Sequence, residues 1–330
     1  MRKSVAIVAG GNSSERPVSL LSAEGLYSFI DKEKYEVYIV EIVGLRWTVR
    51  LPEGETAPVD RSDFSFMYKD KRVKFDFAYI TIHGAPGEDG TLQGYFEMTG
   101  MPYSGCGVLA SALTNNKYIC NHFLKIFFVT SPISVMLGRG YKIPNRIILS
   151  DVRLPCIVKP NLGGSSFGIS KVNRAHQLQP AIRKAFRESD EVIIEEFLTG
   201  TEVTCGSYWT KKGGMVFPVT EIVTDNEFFD YDAKYNGQSQ EITPARIDEK
   251  LTKSVQSITQ DVCHLVGCLG FVRADYIITK ENRIYLLELN TNPGMTEESI
   301  IPKQVRAAGL DMKKILTEII EDKISININK

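Results

Sequence analysis

The chain has 330 residues, of which 43% are hydrophobic and 24% are charged, and its formal net charge is -1. This composition is typical of a globular protein of two or three domains, and it excludes a strong global attraction to nucleic acid or to an acidic membrane surface. No apolar run reaches the roughly 18 residues that a membrane-spanning helix needs, and the six cysteines have no CxxC spacing. We therefore expect a cytoplasmic protein with free thiols, without disulfides or zinc, and with neither nucleic acid nor a membrane as a partner.

The first hundred residues predict an α/β region. An apolar strand at residues 5–9 is followed by a glycine turn, an amphipathic helix and a second strand at residues 36–43. This order predicts a parallel sheet with ligands near the carboxyl ends of its strands. Glu15 follows the first strand, and His83 and Glu88 lie in "HGAPGEDGTLQG" after a later buried strand. These side chains are candidates for a site at one edge of the sheet; helix capping by Glu15 and turn formation by Glu88 are the alternatives.

A glycine and serine loop, residues 163–168, follows a predicted strand that carries Lys159. Glycines let backbone N–H groups approach an anion, serines add hydroxyl donors and a lysine adds positive charge, so the segment is typical of a phosphate-binding loop. It is not a P-loop, because GxxxxGK[ST] is absent and the next element has the pattern of a strand rather than a helix. A plain turn between two strands is the alternative.

Acidic residues lie at the end of the next predicted strand, "VIIEEFLTGTE", which carries Glu195, Leu198 and Glu202. Carboxylates at a strand end can accept hydrogen bonds from an adenine amino group or from ribose hydroxyls. The segment is therefore a candidate nucleotide-binding edge, and a solvated acidic edge is the alternative.

A long polar segment with aromatic residues, 228–241, contains Lys234 and Tyr235. Loops of this length are uncommon in compact domains unless they act as lids or are disordered. A lid whose Lys234 reaches a phosphate is one interpretation, and an ordinary surface loop is the other.

The stretch "FVRADYIITKENRIYLLELNTNPG" predicts an antiparallel hairpin near the C-terminus. If its turn is centred between residues 281 and 282, Asp275 faces Glu288 and Arg273 faces Asn290, with all four side chains on one face. Two carboxylates about 5 Å apart repel by roughly 3 kcal/mol at an effective dielectric near 20. An ordinary cross-strand pair contributes only about 0.2–1 kcal/mol, so it would not offset this repulsion.

Positive charge is therefore expected between Asp275 and Glu288. The hard oxygens of Asp, Glu and Asn suit Mg²⁺ or Mn²⁺, and Arg273 could neutralise an anion bound to such an ion. A solvated strand face, on which Arg273 and Lys280 screen the two acids, is the alternative. A shift of one residue in the register would also remove the pairing.

Taken together and in this order, these segments resemble the D-alanine–D-alanine ligases of the ATP-grasp superfamily. The resemblance runs from "GGNSSE" to "NTNPGMTEESIIPKQVRAAGL", and its most specific parts are "HGAPGEDGTLQG" and the hairpin with its Pro-Gly ending. It implies an α/β protein with a three-domain ATP-grasp fold. An N-terminal parallel-sheet domain (residues 1–105) would lie on the substrate side, and central (106–195) and C-terminal (196–330) α+β domains would clamp ATP.

The resemblance also implies a role for each motif residue. Phosphates would contact Lys117, Lys159 and Lys234 and the backbone N–H groups of Ser165, Ser166 and Phe167. Adenine and ribose would be held by Glu195, Leu198 and Glu202. Two Mg²⁺ (or Mn²⁺) ions would be bound by Asp275, Glu288 and Asn290. The first D-alanine would be held by Glu15, which with Ser165 and Tyr235 closes the lid, and by His83 near its carboxylate. The oxyanion hole would comprise Arg273 and the Gly294 N–H, and Ser299 would hold the second D-alanine carboxylate.

The implied reaction is the ATP-dependent ligation of two D-alanines through an acyl phosphate, in the synthesis of peptidoglycan precursors. A homodimer in the cytoplasm is the implied assembly. Another carboxylate–amine ligase with a different acceptor is the alternative enzyme. A nucleotide-binding protein that has lost catalysis is the alternative of another class, although the presence of Arg273, Asp275, Glu288 and Asn290 counts against it.

Three positions depart from the family pattern. Arg16 and Pro17 stand where the family often has His-Glu, so the support for Glu15 is expected to differ. Tyr276 follows Asp275 where an aliphatic residue is usual, a change expected to affect packing more than chemistry.

Overall fold

The structure is a computed structural model that describes residues 2–141, 143–164, 167–224 and 239–327. Its first sheet has seven strands in the order β6-β5-β4-β3-β2-β1-β7. These are β1 (Lys3–Gly10), β2 (Tyr35–Val43), β3 (Arg46–Arg50), β4 (Thr56–Asp60), β5 (Ser65–Tyr68), β6 (Lys71–Lys74) and β7 (Phe77–Ile80). The prediction of a parallel sheet is correct only for β2-β1-β7, because β3 to β6 extend it as antiparallel hairpins.

The first sheet brings the first two candidate segments together. Helix α1 (Arg16–Phe29) follows β1, and α2 (Thr91–Thr99) follows the loop after β7. Because β1 and β7 are parallel neighbours, the loops at their carboxyl ends lie at the same edge. Strand β7 ends at Ile80, and His83 follows in a buried segment without regular structure.

A second, four-stranded antiparallel sheet has the order β10-β9-β11-β8. Its strands are β8 (Ser134–Gly138), β9 (Cys156–Pro160), β10 (Ser170–Val172) and β11 (Glu191–Glu196). Helices α5 (Asn145–Asp151) and α6 (Leu178–Ala185) contribute apolar side chains to the same core cluster. Helices α3 (Val108–Asn115) and α4 (Lys117–Lys125) precede this sheet in the chain.

The third sheet has the order β15-β14-β12-β16-β17, with β13 paired to β12. Its strands are β12 (Thr201–Thr210), β13 (Gly213–Val216), β14 (Thr220–Thr224), β15 (Ser239–Ile242), β16 (Gly270–Ile278) and β17 (Ile284–Asn290), and all their pairings are antiparallel. Helix α7 (Glu249–Val266) packs on one face through Val255 and Val262. Helices α8 (Ile300–Ala307) and α9 (Met312–Asn327) complete the described chain.

Separate apolar cores support the sheets, and one core joins the two ends of the chain. Ile315, Leu316 and Ile319 of α9 lie in the same cluster as Val5 and Ile7 of β1. The domain boundaries near residues 105 and 195 stay a prediction. The six cysteines are all free and buried, as predicted. None of the helices in the described part of the chain combines the length and the apolar character that a membrane span requires.

Candidate active site

The hairpin of β16 and β17 has the predicted partners at the site but a different turn. The backbone N–H of Thr279 donates to the Arg283 carbonyl at 2.9 Å, and Asn282 has a left-handed φ of 60°. The loop therefore has three residues, 280–282, and the predicted turn centre between residues 281 and 282 is wrong. A regular ladder from this turn would set Asp275 opposite Leu287.

A β-bulge restores the predicted pairing. Tyr276 pairs with Leu286, whereas Asp275 pairs with Glu288, so Leu287 is an extra residue in β17. As a result Asp275 and Glu288 face each other, and Leu287 and Glu288 both line the cleft. Bulges commonly redirect side chains next to active sites.

Two cations neutralise the paired carboxylates. Arg273 donates from Nε and Nη2 to the two carboxylate oxygens of Asp275 at 2.9 and 2.7 Å, and its Nη2 lies 3.8 Å from Glu288 Oε1. Lys117 Nζ lies 3.7 Å from Glu288 Oε2 and also donates to the Gly163 carbonyl. The four side chains are 12–25% exposed, which does not fit the alternative of a solvated strand face.

The second sheet supplies the wall of the cleft opposite the hairpin of β16 and β17. Lys159 Nζ contacts Glu195 Oε1 at 2.6 Å, and the two residues are 8% and 7% exposed. The alternative of a solvated acidic edge is therefore wrong for Glu195. Removing either partner would leave the other charge buried and unpaired, which makes the pair sensitive to substitution.

Glu15 connects the first sheet to the glycine loop. The residue is 5% exposed, and its Oε2 accepts a hydrogen bond from the Gly164 N–H at 3.2 Å. It precedes α1 without a side-chain capping bond, so the capping alternative is not supported. Arg16 pairs with Glu41, and Ser13 donates to the His83 carbonyl at 3.0 Å.

The cleft between the sheets is lined by every predicted site residue that the structure describes. The side predicted to bind substrate, called the substrate side, is lined by Glu15, His83, Arg273, Asn290, Gly294 and Ser299. The side predicted to bind nucleotide, called the nucleotide side, is lined by Lys159, Phe167, Glu195 and Leu198. Both sides share Lys117, Glu202, Asp275 and Glu288. The predictions for Ser165, Ser166, Lys234 and Tyr235 lie outside the described residues. The individual roles of all these residues stay predictions.

The loop with Gly294 is held by close backbone packing against α1. The Met295 N–H donates to Ser22 Oγ at 3.3 Å, and a Cβ atom at Gly25 would lie 2.2 Å from the Met295 carbonyl oxygen. Ser299 Oγ accepts from the Thr296 N–H at 3.0 Å at the start of α8. Ser22 and Gly25 were not predicted as site residues; the glycine within a helical pattern was the only signal in the sequence.

Thr204 and Gln304 also support the site without having been predicted. Thr204 Oγ1 donates to Asp275 Oδ1 at 2.6 Å from the neighbouring strand. Gln304 is fully buried and donates to the Thr204 carbonyl at 3.1 Å while accepting from the Gly206 N–H at 3.0 Å. Their sequence positions carry no signal for these contacts, because the partners are about 70 to 100 residues apart in the chain.

The buried His83 and the partly buried Glu88 form a pair at the substrate side. His83 Nδ1 lies 3.7 Å from Glu88 Oε1, and the other Glu88 oxygen accepts from the Gly84 N–H at 2.9 Å. Glu88 therefore also stabilises the turn, as the alternative proposed. Burial lowers the pKa of His83, but the neighbouring Glu88 carboxylate, with the charge of Glu15, outweighs the effect of burial and raises the pKa above its usual value.

Replacing Glu88 with glutamine is expected to lower the pKa of His83. In the native protein the protonated form contributes stability that is fully present below about pH 6.5, the ordinary histidine value. That contribution is lost as the pH rises through the raised folded-state pKa. Glu88→Gln removes the largest raising cause. Titration of the four histidine ring signals by NMR measures the change, with the other three as internal controls; an unaltered His83 titration contradicts the pairing.

Comparison with solved structures defines the class of protein. The D-Ala:D-Ser ligase VanG from Enterococcus faecalis is 33% identical and superposes with a TM-score of 0.85 over 97% of this chain and 99% of that chain. The D-alanine–D-alanine ligase from Bacillus anthracis complexed with ATP is 28% identical, with a TM-score of 0.78 over 99% of each chain. The fold is therefore that of an ATP-grasp ligase, which confirms the predicted fold class.

Family models and a close relative make the assignment more specific. The model "D-ala D-ala ligase N-terminus" matches residues 4–106, and "D-ala D-ala ligase C-terminus" matches residues 140–321. The D-alanine–D-alanine ligase of Bacteroides fragilis is 59% identical over 323 residues, which cover 98% of this chain and 100% of that protein. The chain belongs to the D-alanine–D-alanine ligase family. The prediction of an ATP-dependent ligase is thereby confirmed.

Proposed function

We propose that this chain joins two D-alanine molecules at the expense of ATP, through an acyl phosphate, to supply a peptidoglycan precursor. The observation that carries the proposal is the cleft in which Asp275 and Glu288 lie between Arg273 and Lys117, next to Glu15. The alternative of a protein that has lost catalysis is disfavoured, because these charged residues are present and converge on one cleft.

The nucleotide side of the cleft suits ATP. Lys117 and Lys159 provide two positive charges at positions where phosphates would displace their present partners, Glu288 and Glu195. Apolar side chains next to them, including Phe167 and Leu198, offer a surface for the adenine ring. Such positive groups stabilise the charge that develops during phosphoryl transfer.

The donor set of the hairpin fits a divalent cation. Among the described residues no three His, Cys, Asp or Glu side chains form a metal cluster. The proposed set therefore depends on two carboxylates and the Asn290 amide oxygen, and hard oxygens of this kind are those that Mg²⁺ and Mn²⁺ prefer. We propose that Asp275, Glu288 and Asn290 hold two such ions, which when bound would neutralise phosphate charge.

The substrate side suits an amino acid. The buried Glu15 carboxylate is placed to accept hydrogen bonds from the first D-alanine ammonium group, and protonated His83 would attract its carboxylate. Arg273 and the Gly294 N–H are placed to stabilise the oxyanion when the second amine attacks, and Ser299 to bind the second carboxylate. An acyl phosphate hydrolyses in water, so the cleft must close during the reaction. A homodimer and a cytoplasmic location stay predictions that rest on family membership.

ADP release by the purified protein tests the proposed function. With ATP and Mg²⁺, we expect rapid ADP release with D-alanine and only background release with L-alanine or without an amino acid. D-serine and D-lactate as competing second substrates separate this activity from that of a ligase with another acceptor. Turnover that is indifferent to D-alanine contradicts the proposal.

A further inference from the structure

Helix α4 carries a buried amide that the proposed mechanism does not use. Asn121 lies one helical turn after Lys117, is 7% exposed, and donates from Nδ2 to the Leu287 carbonyl at 3.1 Å. Leu287 is the extra residue of the β17 bulge and has no partner residue on β16. Asn121 therefore contacts the backbone irregularity on which the orientation of Glu288 depends.

The same amide leaves a buried acceptor unsatisfied. Asn121 Oδ1 has no hydrogen-bond partner within the described ranges, and an unsatisfied buried acceptor destabilises the folded state. Packing alone would thus favour an apolar residue of similar size at this position. A flipped amide would set Oδ1 against the Leu287 carbonyl, and two acceptors repel. The Asn121 amide is therefore better explained by its hydrogen bond, which fixes the position of the Leu287 carbonyl, than by the burial of its side chain.

The first turn of α4 is fixed from the opposite side by the second sheet. Asn161, fully buried after β9, accepts from the Tyr118 N–H at 2.9 Å and donates to Glu191 at 2.5 Å. Helix α4 is thus bound to the second sheet at its first turn and to β17 at its next turn. Lys117 is the first residue of this helix, directly before Tyr118 and one turn before Asn121, and its Nζ lies 3.7 Å from Glu288 Oε2.

We propose that Asn121 is a positioning residue for the nucleotide side of the cleft, where the phosphates would bind. It holds the β17 bulge against α4, so that Lys117 and Glu288 keep their places across the cleft. The inference rests on the proposed function, because it concerns the binding of nucleotide phosphates and the divalent cation. The substrate side of the cleft is held by other contacts, such as that of Glu15 with Gly164.

Kinetics of Asn121→Leu test the inference, with Gln256→Leu as the matched control. Gln256 also donates from a helix to a backbone carbonyl distant in the chain, that of Phe217 between β13 and β14 at 3.0 Å, and it lines neither side of the cleft. Displacements of about 1 Å at reacting groups can cost about a hundredfold in rate. We expect kcat/KM for MgATP to fall about 10- to 100-fold and half-saturation by Mg²⁺ to rise in Asn121→Leu. The KM for D-alanine should change less than about twofold, and Gln256→Leu should change none of these values.

Calorimetric titration with MgADP gives a second readout that does not require ligation. We expect at least about tenfold weaker binding by Asn121→Leu and unaltered binding by Gln256→Leu. If Asn121→Leu does not fold, Asn121→Ala takes its place in both measurements. If the Asn121 variant binds MgADP more weakly but the native protein shows no turnover with D-alanine, the proposed function is refuted and the positioning role is still supported. Native MgADP affinity in the Asn121 variant overturns the inference, even if its thermal stability is reduced.

Discussion

The Glu288→Gln variant is expected to release ADP with D-alanine about a thousandfold more slowly than the native protein, a loss of roughly 4 kcal/mol of transition-state stabilisation. Glutamine keeps the size and shape of the side chain but removes the negative charge that pairs with Lys117 and faces Asp275. The proposed cation site would then keep only one carboxylate. Its single negative charge is too little to hold two divalent ions, for which the free nucleotide competes.

The fold of Glu288→Gln is expected to remain intact. Without a cation in the site, the substitution relieves repulsion between two facing carboxylates, so the thermal midpoint should be unchanged or slightly higher. Glu249→Gln is the matched control, because Glu249 also contacts a lysine, Lys253, but is 82% exposed on α7. Steady-state ADP release and thermal denaturation check both variants. Native activity in Glu288→Gln would falsify the assignment of Glu288 to the cation site.

Arg273→Met is expected to reduce turnover by about 10²–10³-fold, the usual cost of removing one oxyanion donor. Arg273 is bound to both oxygens of Asp275, so its guanidinium plane is fixed before substrates arrive. Such a preorganised donor does not need to reorient when charge develops on the attacked carbonyl. Methionine retains much of the side-chain volume without the charge or the donors. Turnover within about tenfold of native argues against the oxyanion role.

The same substitution should also destabilise the protein, for a separate reason. Asp275 and Glu288 would face each other without the guanidinium, and the free energy of unfolding should fall by roughly 1–3 kcal/mol. A double variant, Arg273→Met with Asp275→Asn, tests whether the unpaired Asp275 carboxylate causes the loss of stability. Urea denaturation should show that the second substitution restores much of the lost stability, whereas ADP release stays low. Recovery of both together would show that the loss of activity in Arg273→Met is only a loss of stability.

Local patterns in the sequence were sufficient for most of the architecture. Strand β1 is apolar from Val5 to Ala9 and is buried from Ser4 to Gly10, and β16 alternates between cleft and core as its sequence does. The apolar pattern predicted parallel packing around β1, but not the antiparallel hairpins that extend the sheet to β6. Those hairpins are short, half-exposed strands, in which edge position rather than hydrophobic alternation decides the pairing.

The candidate site was largely predictable because its residues lie in short motifs at strand ends. Asp275 and Glu288 were predicted to face each other, and they do, but the assumed turn was wrong by one residue position in the register. The bulge at Leu287 compensates for that difference. A bulge depends on contacts from outside the hairpin, including the Asn121 amide and the bond from the Leu286 N–H to the Thr130 carbonyl.

The sequence by itself determined the chemical types in the cleft: the lysines, the paired acids, the glycine loop and the buried strands that carry them. Only the tertiary structure decided how they face one another, through the contacts of Asn121 with Leu287, Gln304 with Thr204 and Gly25 with Met295. The physical reason is that these contacts join segments 100 or more residues apart, where neither periodicity nor turn chemistry specifies the partner. A one-residue register change reverses a strand's faces, so such distant contacts decide which side chains enter the site.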